Sequence, residues 1–192
     1  MEFLDDYSGW GNDVLYRMCS ERPNHTDVDT VSSKLWLIGR AYSASIERKA
    51  GKDFNINDAA KIVIDRNIDP YIEKIRKINR PTQENINDVL LAHHVLTLAL
   101  FDSTGVMKRS LASKYLHFHA PKAVFIYDSI ANGRIRDKFK RMRFNAPSEY
   151  DKPYAEFCYR CLHYRDEFLE KRLGGLVTPR RLDVDLLGYW DF

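Results

Sequence analysis

An all-α fold is predicted on three observations. Apolar residues recur at helical spacing in one segment after another, and alternating apolar–polar runs of the kind that make half-buried strands are missing. Proline and glycine punctuate the periodic segments instead of clustering into linkers. In 192 residues this gives seven or eight helices joined by short loops, in a single domain over 1–192 with a hairpin-containing lobe at about 82–145.

The elements follow in chain order. "VDTVSSKLWLIGRAYSASIERKAG" sets Val31, Leu35 and Ile38 on one face, with Trp36 and Tyr42 broadening it. "INDAAKIVIDRNIDPYIEKIRKI" opens with Asn57 as its expected N-cap, and Pro70 forces a kink or a restart. "TQENINDVLLAHHVLTLALF" has Thr82 as a plausible cap, and its far half is apolar nearly all round, as in a central buried helix. Asp102 to Gly105 is read as a turn. A short helix is expected from Ser110 to the break at Pro121, then an apolar run "KAVFIYD" with no evident partner strand. "DSIANGRIRDKFKRMRF" reads as a helix capped by Asp128 or Ser129. "YAEFCYRCLHYRDEFLEKRLGG" is an amphipathic helix ending at Gly174-Gly175. "TPRRLDVDLLGYW" starts with Thr178 at N-cap and Pro179 at N1, and Leu182, Leu186 and Tyr189 or Trp190 form its buried stripe.

Composition narrows the class. At 44% hydrophobic and 30% charged residues the chain is that of an ordinary globular protein. It has no run of ~18 apolar residues that would span a membrane. Its first residues, "MEFLDDYSGW", are acidic and lack a signal pattern, so a cytoplasmic location and no membrane partner are expected. Three cysteines, Cys19, Cys158 and Cys161, do not make a disulfide framework. The Cys158/Cys161 pair reads as two helix residues one turn apart near the core; a zinc or iron–sulfur site needs two further ligands. The net charge of +3 conceals an asymmetry. Between Lys108 and Arg143 ten Lys/Arg face two acids, Asp128 and Asp137, so this stretch carries +8 and the rest −5. Either an anionic partner such as nucleic acid or a solvated helix face accounts for it.

The chemistry concentrates in "RSLASKYLHFHAPKAVFIYDS", Arg109 to Ser129. A glycine-containing turn joins two helices, and the second helix directs backbone N–H groups, with Lys108, Arg109 and Ser110, at a possible phosphate seat. Eighteen residues after Ser110 a single carboxylate, Asp128, ends an apolar segment. Lys114 lies one helical turn beyond Ser110 on the same face, and helical side chains lean back toward the N-terminus. Each residue also has a structural reading: Asp128 and Ser110 as helix caps, Lys114 as a phosphate contact or a solvated cation. His117 and His119 face different directions on a helix; one is a candidate for lining a pocket, and structural roles are open to both. Of His93 and His94, one must face the interior. Arg134, Lys138 and Arg141 share one face of the basic helix, and Arg136, Lys140 and Arg143 the next; such faces suit phosphates. Tyr42, Tyr127 and Arg40, a cation hard to place in a buried helix, are further pocket candidates.

This stretch resembles the helix-hairpin-helix DNA glycosylase superfamily, and its adenine-specific branch in particular. Arg109-Ser110, Ala112, Leu116 and the Ile126-x-Asp128 ending carry the resemblance, strongly over about twenty-five residues. "LWLIGRAYSAS", "SKYLHFHAP", "FIYDS" and the closing "TPRRLDVDLLGYW" are similar to bacterial proteins described as 8-oxoguanine-glycosylase-like, some associated with phage defence. The resemblance implies a two-lobed helical bundle acting on double-stranded DNA. It implies excision of a damaged base, an oxidised purine, by N-glycosidic bond cleavage after base flipping. Asp128 would stabilise charge developing on the sugar or activate water. Lys114 would add a Schiff base and strand cleavage. The chain departs from the family in having one hairpin glycine, no iron–sulfur cysteine pattern, hence no expected cofactor, and Ser110 where the amine nucleophile usually stands. Two other readings remain open: a catalytically inactive nucleic-acid or nucleotide-binding module of a bacterial defence system, and a helical protein partner in such a system.

Overall fold

Residues 10–188 are described in a computed structural model of the chain. Among them the chain forms ten α-helical segments and no β-strand. These are α1 (Trp10–Glu21), α2 (Val28–Ala41), α3 (Ile56–Asp65), α4 (Asp69–Arg76), α5 (Ile86–Thr104), α6 (Arg109–His119), α7 (Ser129–Lys138), α8 (Lys152–Tyr164), α9 (Glu170–Leu173) and α10 (Pro179–Leu187). A π-helical turn, Arg165–Leu169, joins α8 to α9 without a break, so the segments make nine rods. Tyr189 and Trp190 lie outside the described residues.

The periodic apolar positions become the core. Val31, Leu35 and Ile38 of α2 are fully buried, as are Val89, Leu96 and Leu100 of α5. Each such side chain contributes about 1.5–3 kcal/mol relative to exposure. α2 packs on α3 and α6, α3 and α4 pack on α5, and α1 closes over α2 and α6. α7 packs on α8 and α10, and α5 reaches α8. Leu182 and Leu186 form the buried stripe of α10, whose N-terminus is capped as expected by Thr178 with Pro179 behind it. Cys19, Cys158 and Cys161 are buried free thiols, and burial pushes Cys19 up to about 12; no metal-holding cluster exists among the described residues.

Several local expectations are corrected. The helix α1 was not anticipated. Asn55, not Asn57, caps α3, its side chain accepting from the Asn57 N–H at 2.8 Å. Thr82 does not cap α5; its N–H donates to the Asn85 side chain in the turn that precedes the helix. Asp102 to Thr104 are the last turn of α5, and only Gly105 leaves it, at φ +65°, a conformation that favours glycine. Trp36 is half exposed instead of packed. The basic helix stops at Lys138, short of Phe144. Continuing it would stack like charges one turn apart; instead Phe139 turns inward against Phe144, His163, Tyr164 and Phe168.

α6 is the centre of the molecule: every residue from Leu111 to Ala120 is buried. The apolar run after it, 124–127, follows a turn, has no regular secondary structure and pairs with no strand. Its backbone groups are paired by side chains instead. His117 Nδ1 donates to the Val124 carbonyl at 2.9 Å, and Tyr154 donates its hydroxyl to the Phe125 carbonyl at 3.0 Å. The Tyr127 N–H donates to Ser113 Oγ at 3.0 Å. Ser113 therefore fixes the residue that precedes Asp128. Ser113→Ala leaves that N–H unpaired, and a loss of about 1–3 kcal/mol is expected, read from the urea midpoint at pH 7; an unchanged midpoint would remove the pin.

Candidate functional site

Four segments enclose a cleft of about 810 Å³: the loop after α2 (42–49), the hairpin (106–109), the first turns of α6, and the chain from Tyr127 to Arg136. The hairpin wall exists because Gly105 reverses the chain at the end of α5 and α6 starts four residues on. The α2 side approaches closely because position 39 is a glycine. A Cβ there would sit 3.2 Å from the Ser45 Cα and 3.3 Å from the Ala44 carbonyl oxygen. Two lysines tie the loop down: Lys108 Nζ donates to the Arg48 carbonyl, and Lys114 Nζ to the Tyr42 carbonyl at 3.0 Å.

Most of the anticipated residues meet in this cleft. Asp128, Lys114, Lys108, Arg109, Ser110, Tyr42 and Tyr127 all line it. Asp128 caps α7, its Oδ1 accepting from the Ala131 N–H at 2.7 Å. Capping and cleft lining are thus served by one side chain. Lys114 is 5% exposed, and its ammonium lies 5.8 Å from the centre of the Tyr42 ring. Burial lowers its proton affinity, while the carboxylates of Asp128 and Asp183 act in the opposite sense; the net direction is down. Burial likewise lowers Lys108. Ser110 does not cap α6; the N-cap is Lys108, and no side chain caps this helix end. Arg109 pairs with the buried Asp151 at 2.7 Å.

Other candidates lie elsewhere. Arg40 stands on the outer side of α2, paired with Glu47 and 6.0 Å from the Trp36 ring, so it does not reach the cleft. His117 is buried between the Val124 carbonyl and the Tyr16 hydroxyl, 2.7 Å from Nε2. His119 accepts from Arg76 at 2.9 Å through Nδ1 and packs on His25 and Tyr115. His117 has both ring nitrogens engaged in the core, whereas His119 lines a separate small cavity with Tyr16, Arg17 and Arg76, its Nε2 without a hydrogen-bond partner among the described residues. His93 faces the interior, stacked on Tyr154, with its Nε2 on the Arg109 carbonyl. Of the Arg134–Lys138–Arg141 stripe, Arg134 and Lys138 share a face of α7, away from the cleft and beside Asp137 and Asp185. Arg134 donates to the Leu186 carbonyl at 2.6 Å, Lys138 lies 5.0 Å from the Tyr164 ring, and Arg141 falls beyond the end of α7.

The cleft gains cations the sequence did not single out. Arg48 and Lys49 come from the tied loop and Arg136, exposed, from the side of α7 that borders the cleft. With Lys108, Arg109 and Lys114 they surround Asp128, the one acid among the described residues lining the cleft. Such a wall attracts an anion. Behind it sits Asp183 of α10, 2% exposed, whose carboxyl burial pushes up to about 7. No protein-family model, curated protein or solved structure matches the chain.

The buried histidines set the acid response. Burial lowers His25, His93 and His117 to about 4 and His119 well below its usual value. Unfolded, they take up protons near 6.5. Between about 6.5 and 4 the unfolded chain therefore binds more protons, and stability falls as pH falls. Asp183 has the reverse sign over this window, since its raised carboxyl binds a proton in the fold first. Four histidines outweigh one carboxyl, so the urea midpoint is expected to drop steadily from pH 7 to pH 4.5. A midpoint that holds or rises contradicts the assignment.

Proposed function

We propose that the chain is a DNA glycosylase-like enzyme that flips a damaged base, an oxidised purine by resemblance, out of a duplex and cleaves its N-glycosidic bond. The observation that carries this reading is the meeting of a carboxylate and a buried amine, Asp128 and Lys114, in one basic cleft beside the short turn that joins α5 to α6. The resemblance implies the carboxylate, helical spacing from Ser110 supplies the amine, and the two-lobed glycosylase architecture belongs to the same proposal.

The steps follow from the residues. The free N–H groups at the start of α6, with Arg48, Lys49 and Arg136, hold phosphates on either side of the target nucleotide. Flipping costs about a few kcal/mol, offset by stacking against the Tyr42 and Tyr127 rings in the cleft. As the glycosidic bond lengthens, positive charge grows on the sugar. The Asp128 carboxylate, partly shielded from water, stabilises that charge. Lys114, its ammonium weakened by burial, supplies a neutral amine to C1′. The bond from Nζ to C1′ forms as the base leaves with the bonding pair and takes up a proton. Nζ gives up a proton, and the C1′–O4′ bond opens with its pair passing to O4′, which is protonated. The imine left at C1′ allows loss of a C2′ proton and departure of the 3′-phosphate, which cuts the strand. Ser110 occupies the usual amine position, and the reach of Lys114 from one turn further along compensates.

A second reading, a nucleic-acid or nucleotide-binding module without catalysis, is favoured by one contact. The Lys114 amine is already spent on the Tyr42 carbonyl.

Borohydride trapping on a panel of damaged duplexes separates the two. A covalent adduct is expected with the native chain and none with Lys114→Ala. Asp128→Asn is expected to slow base release by about a hundredfold or more while duplex binding, steeply salt-dependent, persists. Salt-dependent binding with neither adduct nor base release on any duplex would leave the second reading.

A further inference from the structure

Asp183 is the buried acid that the proposed chemistry leaves unused. Its Oδ2 accepts from Arg180 at 2.9 Å, and its Oδ1, buried, has no hydrogen-bond partner among the described residues. An ionised carboxylate is costly in such a place unless other charges sustain it. The groups that face it come from five elements, the first being the Tyr42 hydroxyl at the end of α2, which burial keeps in its neutral form. Arg180 lies on its own helix, Lys114 on α6, Asp128 at the cap of α7, and Cys161 on α8. Cys161 stays a neutral thiol, its proton held by burial. Arg180 and Lys114 converge on one ring: the guanidinium lies 5.7 Å and the amine 5.8 Å from the centre of Tyr42.

We propose that Asp183 is the positioning residue for Lys114: from behind the cleft wall its charge, with the Arg180 it anchors beside Tyr42, sets how tightly the Lys114 amine in the cleft holds its proton. The use of that amine rests on the base-excision reading; the coupling itself does not. The coupling follows from Coulomb's law in a poorly hydrated interior. With Asp183 ionised, the ammonium is favoured. With Asp183 protonated, Arg180 opposes it unbalanced, and Nζ holds its proton less tightly, which brings closer the lone pair that a nucleophile needs. Asp128 favours the ammonium from the cleft side throughout.

The test needs no nucleic acid. Pulsed acetylation by acetic anhydride, which reacts with neutral amines, is followed at Lys114 by mass spectrometry of the full chain from pH 5 to 10, with the exposed Lys61 as internal reference. Asp183→Asn is expected to lower the Lys114 midpoint by about one pH unit, roughly tenfold more free amine at a fixed pH below it. Mere loosening of the fold would admit water and move the midpoint up instead, so a raised or unchanged midpoint overturns the proposal. Should Asp183→Asn not fold, the carbon-13 resonance of the Asp183 carboxyl decides. In Lys114→Met its midpoint is expected to climb by about a unit from the native value, and a stationary midpoint overturns the coupling. A shifted Lys114 profile in a chain that traps on no damaged duplex keeps the coupling and removes the excision reading. Trapping with an unshifted profile does the reverse.

Discussion

The constraint on which the rest depends is the complete burial of α6. Its sequence is not that of a core helix: Ser113, Lys114, His117 and His119 lie between Leu111 and Ala120, and all are buried. A buried polar group without a partner costs about 1–3 kcal/mol, and more when charged. Each of these side chains therefore becomes a fastening. Ser113 and His117 hold the extended segment that leads to Asp128. Lys114 holds the loop after α2, and His119 takes the Arg76 guanidinium. The cleft is assembled at the N-terminal end of this helix because these fastenings gather distant pieces of chain around it.

Much of the fold was legible because it is written in local rules. Helical periodicity located α2 to α8, Pro70 and Pro179 marked restarts, and Thr178 and Asp128 stood where caps belong. That Asp128 and Lys114 come to line one cleft was also legible, through the spacing of both from Ser110. What was not legible depends on contacts with no local trace. Arg48 and Lys49 reach the cleft because Lys108, sixty residues away, grips the Arg48 carbonyl. His117 is structural because Tyr16, 101 residues away, meets its ring. Arg136 rather than Arg134 faces the cleft because α7 stops at Lys138 and α10 claims Arg134. The importance of Asp183 is invisible until its burial is known, since an aspartate in "RRLDVDLL" reads as one more surface charge.

Two kinds of positive charge serve the cleft. Arg48, Lys49 and Arg136 are exposed, so their attraction for an anion is screened within about 8–10 Å at moderate salt. Lys108 and Lys114 are sunk into the protein, where water screens them far less and their amines bond to carbonyls. The first group suits capture of a polyanion and the second suits geometry and reactivity. That division explains why the densest run of basic residues, 134–143, contributes only Arg136 to the cleft wall.

The two lysine–carbonyl bonds at either end of residues 42–48 have a mechanical consequence. One strut, from Lys108, is independent of any reaction. The other is made by the same nitrogen that would attack the sugar, and a nitrogen bound to carbon there must surrender its grip on Tyr42. The strap then hangs from a single anchor for as long as the adduct lasts, and is drawn taut again when the amine is released. In the proposed base excision, turnover and the opening of that wall would be one event, timed by a single atom.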